Sequence, residues 1–333
     1  MESALNASVS RKLVSKHGSF MRKLENALYR LVIVPLVAFL PAPLAYGVAC
    51  LHGNWCYRWD RSRREEIMRC LESVFGDQLS IAERTRVARD NFRHASCVPV
   101  DVMRLAGKGR ALKRLVEIRG LEHIEAALAA GKGAILCCAH FGSYKCAFSL
   151  IGAYGFPITF VGRWRSNHAN HSLSFISRFF YRLTVQKRLA RHQRRANIEP
   201  SGQIQVAVQA STILRQNELI TFTLDSPLID AYRTRAVPMD FLNGQVLVLP
   251  GPTTIAQLMR VPVLMTFMRR SADWRHQVLE ISAPMPLDGD AVTAYRRCLA
   301  EVEAAIRQNP SQWAYWNFRE LVTLGLLPKE TMI

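Results

Sequence analysis

No Cys-x-x-Cys pair occurs among the eight cysteines of this chain, so neither a zinc site nor a dithiol redox motif of that pattern is expected. The cysteines are instead typical of buried thiols in a protein of a reducing compartment. The 333 residues also contain no internal repeat and no low-complexity tract. With 49% hydrophobic and 21% charged residues, the chain is not disordered by composition and has enough apolar side chains for a large core.

Acidic residues are scarce, with 26 Asp and Glu against 44 Lys and Arg, and the net charge is +18. Such an excess favours an anionic partner, which could be nucleic acid, anionic lipid or an acidic carrier protein. No known nucleic-acid-binding module is present, and the apolar N-terminal region has no role in such a protein. We therefore expect no nucleic-acid partner, and no cofactor or metal ion.

Charge is absent from residues 31–51, "LVIVPLVAFLPAPLAYGVACL", which follow a basic and polar stretch. The 21 residues are long enough to span a bilayer, but three prolines argue against a straight helix and predict a break at Pro41. Aromatic residues among arginines follow at 55–64 and suit a membrane interface. The segment fits a cleaved signal peptide poorly. Residues 1–60 are predicted to be a membrane-associated helical arm, either spanning or interfacial; the alternative is a proline-broken core segment.

The rest of the chain, residues 61–333, is predicted to be one α/β domain. Helical patterns occupy 62–76 and 80–96, the second with a serine cap and Glu83 three residues later. Strand and helix patterns then alternate, which predicts a mixed, largely parallel sheet flanked by helices. Strands are expected at 134–139, 158–161, 219–224, 262–268 and 278–282, and helices at 121–131, 144–153, 253–260 and 290–308.

The stretch "GKGAILCCAHFGSYKCAFSLIG" places His140 directly after a predicted buried strand. Gly142 permits a close backbone approach at the turn, and ligands of open α/β sheets bind at the carboxyl ends of strands. A lone histidine is more often structural than catalytic. Cys146 lies in an apolar helix, where a thiol is usually inert.

Several blocks in a fixed order resemble the bacterial lipid A biosynthesis acyltransferases, the lauroyl and myristoyl transferase family, over roughly residues 25–320. "GKGAILCCAHFGS" resembles the family's block in which an apolar strand precedes the histidine, and the apolar arm resembles its membrane anchor. Further similar blocks are "NFRHASCVPVDVMRL", "FVGRWRSN", "ITFTLDS", "GPTTIAQLMRVPVLMTFMRR" and "NPSQWAYWNF".

Four departures from the family accompany this resemblance. Lys145 stands where the family has a carboxylate five residues after the histidine. The family's Asp-x-Asp is "DSP", and "YWNF" replaces its closing His-Arg-Arg. A longer, very basic segment separates Asn167 from Asp225. These departures weaken the prediction of a lipid A acceptor most, and the prediction of catalysis next.

The resemblance implies a glycerolipid-acyltransferase-like fold and assigns roles to residues. His140 would be the general base, and Asp225 or Asp101 would replace the missing carboxylate, with Asp225 preferred; a turn or cap residue is the ordinary role of such an aspartate. Lys145 would bind a phosphate at a helix start or be a solvent-facing lysine. The remaining predicted substrate-binding residues are Arg163, Asn167, Arg178 and Arg182.

The predicted function is transfer of a fatty acyl group from an acyl thioester, on acyl carrier protein or CoA, to a hydroxyl of a lipid or glycolipid. The alternative is a catalytically silent relative that binds lipid or assists a partner enzyme. The basic segment Arg178–Ile198 would contact anionic lipid headgroups or an acidic carrier protein. The expected location is the cytoplasmic face of a bacterial inner membrane.

Overall fold

The computed structural model describes residues 25, 27–105, 116–161, 203–225 and 235–316. A π-helical turn at Tyr29–Ile33 precedes the first helix. The helices are α1 (Val34–Val37), α2 (Ala42–Trp59), α3 (Arg61–Phe75), α4 (Ile81–Leu105), α5 (Leu121–Ala129), α6 (Tyr144–Ala153), α7 (Gln203–Arg215), α8 (Gly251–Met259) and α9 (Ala291–Gln308). The strands are β1 (Val116–Arg119), β2 (Ala134–Cys138), β3 (Ile158–Phe160), β4 (Leu219–Thr223), β5 (Val237–Phe241), β6 (Gly244–Val248), β7 (Val263–Arg270) and β8 (Gln277–Pro284).

Six of the strands form one sheet in the order β1-β8-β7-β2-β4-β3. Every neighbouring pair is parallel except β7 and β8, which are antiparallel. The predicted mixed, largely parallel sheet is therefore confirmed. β5 and β6 form a separate antiparallel hairpin. Because β2 has strands on both sides and all five of its residues are buried, it lies at the centre of the domain.

Helices cover both faces of this sheet, as a parallel sheet requires. Successive β2 side chains point to opposite faces: Cys137 packs with α7, α8 and α9, whereas Cys138 packs with α5 and α6. Both thiols are fully buried, and burial raises the pKa of each well above its ordinary value.

The helical structure of the apolar arm breaks at Pro41, as the sequence predicts. α1 ends at Val37, Pro41 adopts an extended conformation, and α2 begins at Ala42. α2 packs along α4 at close range, since a Cβ on Gly53 would lie 2.5 Å from the Cα of Arg93. Among the described residues, none of the helices combines the length and the apolar character needed to cross a membrane. The division of the chain at residue 60 stays a prediction.

Candidate active site

The centre of the sheet places the predicted histidine beside an aspartate. β2 and β4 are parallel neighbours, paired from Ala134 opposite Leu219 to Cys138 opposite Thr223. His140 follows the end of β2 by two residues, and Asp225 follows the end of β4 by two residues. Since the carboxyl ends of parallel strands meet at one edge, the pairing brings these two residues together.

The carboxylate of Asp225 accepts two hydrogen bonds from His140. Its Oδ1 lies 2.8 Å from the ring nitrogen Nδ1, and its Oδ1 and Oδ2 lie 3.0 and 2.9 Å from the backbone nitrogen. A carboxylate only accepts hydrogen bonds, so this contact assigns the ring proton to Nδ1 and leaves the lone pair on Nε2. Asp225 is fully buried, while 18% of the His140 side chain is exposed.

A third donor to this carboxylate comes from the last described segment of the chain. The indole Nε1 of Trp313 lies 2.8 Å from Asp225 Oδ2, and both side chains are buried. The motif "NPSQW" signalled that this segment matters, but it did not indicate that Trp313 contacts an aspartate 88 positions earlier. Sequence reasoning therefore missed Trp313 as a residue that positions Asp225.

The backbone around Trp313 runs beside the histidine turn. Ala314 donates to the carbonyl of His140 at 2.9 Å, and Gly142 donates to the carbonyl of Gln312 at 2.9 Å. The Gln312 side chain in turn exchanges two hydrogen bonds with the backbone of Arg270 on β7, both at 2.8 Å. The turn that carries His140 is thus fixed from two sides.

Gly142 permits this close packing. Its φ is +59°, and a Cβ at this position would lie 1.7 Å from the carbonyl oxygen of Met268. Both the left-handed backbone and the close approach exclude other residues. The predicted role of Gly142 is confirmed.

The imidazole ring is flanked by two tyrosines. The centroid of the Tyr315 ring lies 4.5 Å from that of His140, and the Tyr144 ring meets it nearly edge-on at 5.0 Å. These contacts restrict the rotation of the imidazole about its Cβ while part of its surface stays exposed.

Asp101, the other candidate carboxylate, does not contact the histidine. It is buried on α4, where it forms an ion pair with Arg270 and accepts hydrogen bonds from Gln277 at 2.6 Å and Tyr46 at 2.8 Å. It also accepts a hydrogen bond from Ser143, three residues after His140. Asp101 therefore supports the histidine turn and ties it to α2, but it cannot orient the ring.

Lys145 occupies the first turn of α6 and is half-buried, with its Nζ 5.7 Å from the centroid of the Tyr144 ring. Burial first, and then repulsion by Arg30 of the arm, lower its pKa. The next residue, Cys146, is buried among apolar side chains, and burial raises the pKa of its thiol well above the ordinary value. The thiol is thus protonated at neutral pH, as expected of an inert cysteine.

Four predicted substrate-binding residues, Arg163, Asn167, Arg178 and Arg182, lie outside the described residues, as does the basic segment that contains the last two. They stay predictions. The structure thus brings together His140 and Asp225, and places Lys145 in the first turn of α6, directly after the histidine turn.

For the acyl transfer that the resemblance implies, replacing Trp313 with Phe is expected to lower kcat about tenfold, because Asp225 loses one of three donors and a hydrogen bond to a charged group contributes about 1.5–3 kcal/mol. Steady-state kinetics at saturating acyl donor would measure this. Trp316→Phe is the matched control, since it also removes a buried indole, whose Nε1 donates to the carbonyl of Pro310 instead. Equal losses of kcat in both variants would show that Trp313 acts only through packing.

Buried His94 predicts a loss of stability in acid. It lies on α4 and hydrogen-bonds the Gly142 backbone; burial, then Arg270, lower its pKa from 6.5 to about 3. The unfolded chain binds this proton as the pH falls below 6.5, whereas the folded chain does not, so the free energy of unfolding falls with pH. Between about pH 8 and pH 5 this residue is expected to cost about 2 kcal/mol. His94→Asn should flatten the dependence of Tm on pH, and an unchanged dependence would contradict the assignment.

Comparison with known proteins finds similarity over most of the chain. The family model described as bacterial lipid A biosynthesis acyltransferase matches residues 16–319. A lipid A biosynthesis acyltransferase of Haemophilus influenzae is 24% identical over 282 residues, which cover 84% of this chain and 82% of that protein. The span of the family model includes the histidine turn, the end of β4 and the segment around Trp313.

Proposed function

Because the chain belongs to the bacterial lipid A biosynthesis acyltransferase family, we propose that it transfers a fatty acyl group from an acyl thioester to a hydroxyl of a lipid or glycolipid. The observation that carries this proposal is the 2.8 Å contact between His140 Nδ1 and Asp225 at the carboxyl edge of the sheet. Asp225 thus supplies the carboxylate that is missing at position 145, where this chain has a lysine.

His140 is the general base of the proposed reaction. Its Nε2 takes the proton of the acceptor hydroxyl while the oxygen attacks the thioester carbonyl. A tetrahedral intermediate forms, the carbon–sulfur bond breaks, and the thiolate leaves with the proton that His140 returns. The products are the acyl ester and the free thiol, and the histidine regains its starting state.

Asp225 assists this step in two ways. It holds the proton on Nδ1, so that Nε2 is free to accept, and it stabilises the imidazolium that forms during attack. The backbone N–H of His140 and the indole of Trp313 hold the carboxylate in place. The neighbouring strand thus supplies what the residue five positions after His140 supplies in the family.

Lys145 is assigned to substrate binding rather than to proton transfer. A lysine ammonium accepts no hydrogen bond and opposes an imidazolium, so it cannot replace a carboxylate partner. It lies at the start of α6, where backbone N–H groups point out of the helix, and Arg30 is close enough to influence it. These positive groups suit a phosphate of the donor or of the lipid headgroup.

The arm is assigned to the membrane interface. Nine of the thirteen large hydrophobic side chains that are exposed in the described part of the chain belong to residues 28–59. They lie on the first helical segment, on the turn that follows it and on α2: Leu28, Val32, Leu36, Phe39, Leu40, Leu44, Leu51, Trp55 and Trp59. Exposed Arg58 and Arg61 adjoin the two tryptophans. An apolar face with aromatic and basic residues at its end suits an interfacial helix on an anionic membrane.

The donor carrier and the location complete the proposal. The net charge of +18 favours an acidic acyl carrier protein or the phosphates of CoA, and acyl thioesters of both kinds are cytosolic. We therefore assign the protein to the cytoplasmic face of a bacterial inner membrane.

An acyl-transfer assay tests the proposal. The full chain in mixed lipid and detergent is given acyl carrier protein or CoA thioesters with a hydroxylated lipid acceptor, and thiol release and ester formation are measured. The wild type is expected to form ester, with His140→Ala at background. If the wild type and His140→Ala form ester at the same rate, the protein is not an enzyme of this kind, and binding to lipid or a partner enzyme is its role.

A further inference from the structure

Three side chains of different chemistry converge within the arm, and none of them belongs to the histidine turn. His52 and Cys56 lie one turn apart on the same face of α2, and Glu25 approaches them from the segment before Tyr29. Glu25 Oε1 lies 2.7 Å from His52 Nε2 and 3.3 Å from Cys56 Sγ, and the sulfur lies 3.7 Å from His52 Nε2. All three residues are half-buried.

The histidine presents Nε2 to Glu25, whereas the Cys56 sulfur lies nearly midway between the two ring nitrogens, 3.7 Å from Nε2 and 3.8 Å from Nδ1. The histidine Nδ1 lies 2.9 Å from the hydroxyl of Ser96 on α4, and this hydroxyl donates to the carbonyl of Phe92 at 3.1 Å. The ring stacks on Tyr29 with a centroid distance of 3.5 Å, and the Tyr29 hydroxyl donates to the carbonyl of Ser96. A histidine that binds a metal through one nitrogen is usually oriented through the other in this way.

The separations are close to those of a tetrahedral metal centre. With metal–sulfur distances of about 2.3 Å and metal–nitrogen or metal–oxygen distances of about 2.0–2.1 Å, neighbouring ligand atoms lie about 3.3–3.6 Å apart. Two of the three observed distances are already within about 0.1 Å of this range. The third requires Glu25 to withdraw by roughly 0.6 Å, and the Cys56 sulfur has to move towards the Nε2 side of the ring; side-chain rotation provides both movements.

We propose that Glu25, His52 and Cys56 bind one zinc ion. Thiolate and imidazole ligands select zinc over magnesium or calcium, which prefer oxygen, and four-coordinate zinc accepts a carboxylate and a water in the remaining positions. Burial and Glu25 raise the pKa of the Cys56 thiol to about 12, so the incoming ion displaces a proton from the sulfur.

Such an ion would join three parts of the protein. Glu25 precedes the arm's first helical segment, the other two ligands lie on α2, and Ser96 connects the histidine to α4. Binding would fix the beginning of the arm against α2 and, through Ser96, against α4. The ion would act on the structure of the arm and take no part in acyl transfer.

Metal analysis of the untagged full chain, purified in detergent without chelator, tests this inference. We expect about one zinc per wild-type chain by mass spectrometry, and a sulfur-to-cobalt charge-transfer band in the ultraviolet when Co²⁺ replaces zinc. Cys56→Ser should abolish the band and lower the affinity for zinc at least about tenfold. The matched control is Cys50→Ser, which removes the other half-buried cysteine of α2 and should change neither result.

Two outcomes would overturn the inference: wild-type protein that binds no zinc, or Cys56→Ser protein that retains the wild-type stoichiometry and the cobalt band. Circular dichroism of each variant checks that the helices remain. Because the readouts are metal content and absorbance, their failure is distinguishable from a failure of the acyl-transfer assay.

Discussion

Asp225→Asn is expected to lower kcat about 10⁴-fold with little change in KM for the acyl thioester. The magnitude is that of removing the orienting carboxylate from a Ser-His-Asp triad. An asparagine in this position can present its amide oxygen or its NH₂ group to Nδ1, so the ring no longer keeps its proton there and Nε2 ceases to be a dependable acceptor. Steady-state rates of ester formation by purified protein measure the effect.

Asp240→Asn is the matched control for this substitution. Asp240 is an exposed aspartate of the β5–β6 hairpin, and its Oδ1 accepts one hydrogen bond, from Gln245 at 3.4 Å. Loss of this hydrogen bond in Asp240→Asn should leave kcat within about twofold of the wild type, since exposed polar contacts contribute little. Retention of full activity by Asp225→Asn, with its Tm near that of the wild type, would show that another group orients His140.

The second large effect is expected in membrane binding. Leu36→Asp combined with Phe39→Asp should lower partition into vesicles about 10³-fold. These side chains are 66% and 84% exposed on the arm, and each apolar side chain transferred from water contributes about 1.5–3 kcal/mol. Vesicle flotation with phosphatidylethanolamine and phosphatidylglycerol measures the change.

Ile81→Asp combined with Leu258→Asp provides the control. These residues are 71% and 78% exposed but lie outside the arm, on α4 and α8. Binding of this variant should stay within about twofold of the wild type. A similar loss in both double variants would mean that the arm is not the surface that contacts lipid.

The sequence predicts the site well where local pattern and topology agree. The apolar runs that precede His140 and Asp225 are strands ending within one residue of the expected positions, and helix α6 has the predicted bounds. Ser80 and Glu83 form the expected reciprocal cap of α4. The choice between Asp101 and Asp225 depends on which strand neighbours β2, and single-chain patterns do not encode that order.

The elements that the sequence did not predict carry weak or contrary local signals. β5 contains Pro238 and Asp240, both rare in strands, and the hairpin turn places Leu242 and Asn243 at positive φ. α4 extends past Pro99, where a helix is normally expected to end, because its later residues pack against the arm. β1 alternates apolar and charged residues, but it is only four residues long and only Val116 is buried, so the run is too short to predict a strand.

The hydrogen-bonded group of His140, Asp225 and Trp313 comes from distant parts of the chain. Asp225 lies 85 positions after His140 and 88 before Trp313. A chain still attached to the ribosome therefore lacks part of the arrangement until the segment around Trp313 has left the exit tunnel. The apolar arm emerges first and can reach the lipid surface during synthesis. Under the proposed function, delivery to the membrane would thus precede the acquisition of activity, and incomplete chains would be held at the bilayer before they could transfer an acyl group.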